Sequence, residues 1–91
     1  MKITEHFLQR AWERGYHQSE IEILLRGVNN IEKKTLLVFN KEKLRSAGHK
    51  VSGNVHLIIV VKKNKLITLF EVPDLYAFLK VNVSKASLLI L

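Results

Sequence analysis

The sequence contains no cysteine. That absence excludes disulfides, iron–sulfur clusters, thiolate zinc sites and a cysteine nucleophile together. Length is also lacking. At 91 residues the chain makes one small domain, too short for a barrel enzyme or a full dinucleotide-binding domain. Long apolar runs are missing: the longest, Leu57-Ile58-Ile59-Val60-Val61, has five residues against the roughly 20 of a membrane-spanning helix. The opening Met1-Lys2-Ile3-Thr4-Glu5-His6 turns charged before a targeting segment can build. The expectation is a soluble, cytoplasmic protein with no membrane partner. Aromatic residues are 8%, few for a base-stacking platform. Acidic residues are scarce, 8 against 15 Lys and Arg, and the resulting +7 favours an anionic partner.

What is present suits a globular chain, 47% apolar and 25% charged. Over residues 4–14 the pattern is helical. Phe7, Leu8, Ala11 and Trp12 form an apolar stripe, His6, Arg10 and Glu13 lie opposite, and Arg14 sits at its edge. Thr4 reads as the N-cap and Gly15 as the stop. Ser19-Glu20-Ile21-Glu22 reads as a capping box opening a second helix, with Ile21, Leu24, Leu25 and Val28 facing the core and Gly27 at its end. Trp12, Phe7 and Tyr76 read as core residues.

Beyond residue 34 the period changes. Thr35-Leu36-Leu37-Val38-Phe39 predicts a strand, and residues 40–47 a charged loop or one helical turn. Residues 55–61 and 66–72, joined by Lys62-Lys63-Asn64-Lys65, predict a β-hairpin. Neither run alternates cleanly, which predicts central strands covered on both faces. Pro73-Asp74 ends the sheet, and residues 75–79 predict a short helix. The tail from Val81 to Leu91 reads as an edge strand or as a homodimer contact. The fold class is α+β, two N-terminal helices packed on a small, mostly antiparallel β-sheet.

The chemistry with the strongest spacing is His6-x-x-x-Arg10-x-x-x-Arg14. Residues at i, i+4 and i+8 drift only about 40° per step, so the three side chains make one polar stripe. An imidazole beside two permanent cations suits phosphodiester chemistry, in which guanidinium groups neutralise phosphoryl oxygens and the imidazole moves a proton. The same stripe also reads as a solvated basic helix face. Gly48-His49-Lys50-Val51-Ser52-Gly53-Asn54 is a second candidate. Its glycines let the backbone approach a ligand, and His49 and Lys50 add a proton carrier and a cation. It also reads as a polar turn into the hairpin. Lys62, Lys63 and Lys65 cluster at the hairpin tip as candidate phosphate contacts or as solubilising charges. Thr68 is the hydroxyl inside the second hairpin strand, either packed or holding a phosphate oxygen. The histidines His6, His17, His49 and His56 show no metal-ligand spacing, and no cofactor is expected. Asp74 is the only aspartate, and no nucleophile elbow surrounds a serine.

The run Glu5-His6-Phe7-Leu8-Gln9-Arg10-Ala11-Trp12-Glu13-Arg14-Gly15, followed by Ser19-Glu20-Ile21-Glu22, resembles small bacterial domains of unknown function that open with H-x-x-x-R-x-x-E-R-G. Leu57 to Val61 and Leu66-Ile67-Thr68-Leu69-Phe70 are similar to the strand pair those domains carry later. The resemblance spans residues 5–72, and its first fifteen or so are the distinctive part. It places the chain near the barnase–EndoU–colicin–RelE toxin ribonucleases, and so implies two helices on a four-stranded sheet. It puts His6, Arg10 and Arg14 in a helix-borne polar set and Thr68 on the closing strand. His49 and Lys50 have no counterpart in it. The segment 40–53 is longer and more basic than the pattern, and the tail after Pro73 has no equivalent.

Together these features predict a metal-independent toxin-type endoribonuclease, located in the cytoplasm of the producing or the target bacterium. Attack by the ribose 2′-hydroxyl leaves a 2′,3′-cyclic phosphate, with RNA as the substrate. His6 is expected as acid or base, Arg10 and Arg14 as charge stabilisers, and His49 or Lys50 as the second proton carrier. An acidic antitoxin or immunity protein is the expected inhibitor. The alternative is a non-catalytic basic module that binds nucleic acid or an acidic protein.

Overall fold

Thr4 accepts the Phe7 backbone N–H on its side-chain oxygen at 3.1 Å and so starts α1, Glu5–Glu13. The computed structural model describes residues 1–82, with the side chain of residue 82 left aside, and residues 86–91. The remaining elements are α2 (Gln18–Leu24), β1 (Thr35–Phe39), α3 (Lys41–Ser46), β2 (His56–Lys62), β3 (Lys65–Val72), α4 (Leu75–Asn82) and β4 (Ser87–Ile90). The four strands form one sheet in the order β3-β2-β1-β4. The β1/β2 and β2/β3 pairs are antiparallel, and β4 lies parallel to β1. The α+β class and the two N-terminal helices on the sheet are as the sequence predicts.

One face of the sheet, built from Leu37, Phe39, Leu57, Ile59, Val61, Leu66 and Leu69, packs against Phe7, Ala11, Tyr16, Ile21 and Leu44 of the helical side. The other face carries Leu36, Val38, Ile58, Val60 and Val72 beneath Leu75 and Phe78 of α4. Strand β2, central and covered on both faces, is buried from Leu57 to Val61, which explains its unbroken apolar run.

Several local expectations shift. Strand β3 is an edge strand, with Ile67 and Glu71 exposed, and its register slips by one residue opposite Val60/Val61. That bulge breaks the alternation that would have marked a half-exposed strand. The cap of α2 sits two residues earlier than Ser19: His17 is the N-cap, and the Glu20 carboxylate accepts its backbone N–H at 3.0 Å. Trp12 and Tyr76 are 65% and 71% exposed rather than core. Tyr76 lies one helical turn from Lys80, whose ammonium sits 4.7 Å from its ring centre.

The segment after β1 is a full helix, α3, capped by Asn40 accepting from the Lys43 N–H at 2.9 Å. The hairpin turns on Lys63 and Asn64, both at positive φ as a tight two-residue turn requires. Of the tail, Val81 belongs to α4, residues 83–85 lie outside the described residues, and β4 is an exposed edge. No helix among the described residues is long and apolar enough to cross a membrane.

Candidate functional site

Two helices end in the same way, and each ending delivers a ring to one cleft. Helix α1 is closed by Gly15 at φ +85°, with the Gly15 N–H donating to the Trp12 carbonyl at 3.0 Å and the Tyr16 N–H to the Ala11 carbonyl at 2.8 Å. Helix α3 is closed by Gly48 at φ +93°, with the Gly48 N–H donating to Arg45 at 2.9 Å and the His49 N–H to Leu44 at 3.0 Å. Both are Schellman endings, in which a left-handed residue turns the chain sharply inward. The residue after each glycine, Tyr16 or His49, is therefore aimed at the interior. Their rings stack at 3.9 Å between centroids and 9° between planes.

Around that stack the polar groups are paired. The His49 Nδ1 lies 3.1 Å from the Glu20 carboxylate, at the same oxygen that caps α2. Both side chains are nearly buried, at 12% and 10% exposure. On the other side, the Tyr16 hydroxyl donates to Glu71 of β3 at 2.6 Å. Burial pushes the Tyr16 hydroxyl well above its usual pKa, and the hydrogen bond and charge of Glu71, together with the charge of Glu20, push it the same way. It is thus a fixed donor. With Nδ1 donating to Glu20, the Nε2 of His49 is the ring nitrogen left for chemistry.

The cleft beside this assembly measures about 660 Å³ and is lined by Arg14, His17, Glu20, His49, Lys50 and Glu71 among others. Neither Arg14 nor Lys50 makes an ion pair among the described residues, whereas both carboxylates are engaged. The cleft therefore offers cations and imidazoles to a ligand, while Glu20 is engaged by the His49 ring and Glu71 by the Tyr16 hydroxyl. No group of three or more histidine and carboxylate side chains among the described residues is placed to hold a metal ion.

Of the residues the sequence singles out, the structure brings Arg14, His49 and Lys50 together here. His6 and Arg10 are exposed on the stripe that leads away along α1, and eight residues at about 1.5 Å rise put His6 roughly 12 Å from Arg14 along the axis. Thr68 pairs with Val60, so it belongs to the α4 face, across the sheet from the cleft. Lys62, Lys63 and Lys65 stand at the hairpin turn, which is tied to Lys2 and to residues 31–32 by backbone hydrogen bonds. His56 opens β2 beside a separate, smaller cleft with Asn40 and Asn54.

Tyr16, His17, Glu20 and Glu71 are the site residues that sequence reasoning missed. The available signal was the repeated helix-stop glycine followed by a ring, Gly15-Tyr16 and Gly48-His49. Comparison with known proteins finds no family model, no curated protein and no solved structure that matches this chain.

Proposed function

We propose that this cleft cleaves RNA by metal-independent transesterification. The observation that carries the reading is His49, held by the Glu20 carboxylate and the Tyr16 ring on the wall of a cleft with two cations that have no ion-pair partner among the described residues. The His49 Nε2 takes the proton from a ribose 2′-hydroxyl as its oxygen attacks the adjacent phosphorus. The P–O5′ bond breaks, protonated His17 gives its proton to the leaving 5′-oxygen, and a 2′,3′-cyclic phosphate remains. Arg14 and Lys50 stabilise the charge that builds on the phosphoryl oxygens. Glu20 fixes the orientation of the base, as the carboxylate of a catalytic triad does. Outward along α1, Arg10 extends the positive field beyond the cleft. The +7 charge also suits an acidic protein as inhibitor.

The test is a DNA oligonucleotide with one internal ribonucleotide, incubated with the protein in EDTA. Scission at that position with a cyclic-phosphate end, and none in the all-deoxy oligonucleotide, is the expected result. Tight binding with both strands intact would reassign the cleft to a non-catalytic binding module.

A further inference from the structure

Trp12 is the largest burial anomaly of the helical side. It is the chain's only tryptophan, it lies in the last turn of α1, and it is 65% exposed in a domain small enough to need its apolar area. Its ring makes one edge-to-face contact, with His17 at 5.1 Å and 74°. His17 in turn lines the cleft. Tyr76, the other strongly exposed aromatic ring, already has Lys80 against it.

An indole held at the rim of a cationic cleft has the form of a stacking platform. Every nucleobase offers a π-face, and single-stranded nucleic acids bind by combining a positive groove with such rings. Resting on the phosphodiester reading of the cleft, we propose that Trp12, braced by His17, stacks a nucleobase of the single strand whose phosphate enters between Arg14 and Lys50. A proton donor at His17 then lies beside the base that positions the strand. Trp12 is a positioning residue in this scheme and takes no part in proton transfer. A single ring does not require the aromatic richness of a multi-base platform, which is why an aromatic content of 8% is compatible with it.

Because Trp12 is the only tryptophan, its emission reports the site directly. The protein is titrated with a 2′-O-methyl oligoribonucleotide, which cannot be cleaved, with an abasic oligomer of equal length and charge, and with a mononucleotide. The base-bearing oligomer is expected to quench Trp12 saturably and to bind about 5- to 150-fold more tightly than the abasic one, the contribution of one stacked base. Read by gel shift with labelled oligomers, since neither variant retains a tryptophan, Trp12→Ala should bind the two oligomers equally, and Trp12→Phe should regain most of the difference. Both substitutions are at an exposed position, so the fold is retained. Equal binding of base-bearing and abasic oligomers by the parental protein, with unchanged emission, would overturn the stacking while leaving the phosphate cleft in place. Absence of binding by either oligomer would overturn both. A mononucleotide that matches the oligomer in affinity would overturn the assignment to a strand.

Discussion

Tyr16→Phe isolates one hydrogen bond and leaves the ring stack. The hydroxyl is donated to Glu71 at 2.6 Å, and Tyr16 itself is 1% exposed. A hydrogen bond to a charged group contributes about 1.5–3 kcal/mol and a neutral one about 0.5–1.5 kcal/mol, and the exposure of Glu71 places this one between the two, about 1–2 kcal/mol. The loss should therefore be about that size at neutral pH. Its pH dependence is more diagnostic. The hydroxyl pKa is raised in the fold, chiefly by burial and then by Glu71, so the folded chain keeps a proton that the unfolded chain releases near pH 10. The contribution is complete below that value and falls as pH rises above it, by up to about 1.4 kcal/mol per pH unit. By pH 11 the difference between the parental protein and Tyr16→Phe should have largely disappeared. Urea unfolding of both proteins at pH 7, 9, 10 and 11 measures it, and subtraction cancels every other titrating group. A stability difference that stays constant from pH 9 to 11 would refute the buried Tyr16–Glu71 pair.

Gly48→Ala should cost about 1–2 kcal/mol in chemical unfolding. An added methyl meets no heavy atom within 4 Å, so the cost is the positive φ alone. Leu37→Ala, at a fully buried position of β1, should lower stability by about 2–5 kcal/mol in the same assay, a large share of the total for a domain of this size.

The parts legible in the sequence were those set by neighbours a few positions apart. Thr4 and Gly15 bound α1, the hairpin turns at Lys63-Asn64, and Pro73-Asp74 precedes α4, with Asp74 capping it through the Ala77 N–H at 3.1 Å. The shift at α2 has a tertiary cause: Glu20 faces inward, where it meets both the His17 N–H and His49, while Ser19 stays exposed. Trp12 was misplaced because helical spacing sets it beside Leu8 but cannot tell how far the core reaches around α1. The site itself rests on pairs far apart in sequence, Tyr16 with Glu71 at 55 residues and Glu20 with His49 at 29. No local pattern encodes those meetings. What the sequence did display was the basic and histidine part of the site, Arg14, His49 and Lys50.

The most direct measurement of the central claim is the rate at which purified protein cleaves a defined RNA in EDTA, compared with His49→Ala and His6→Ala, each first shown to be folded by circular dichroism. With His49 as the base, its loss should lower the rate by about 10²–10⁴-fold. Cleavage by His49→Ala at the parental rate, with the loss falling on His6→Ala instead, would contradict the account and return the chemistry to the outer face of α1.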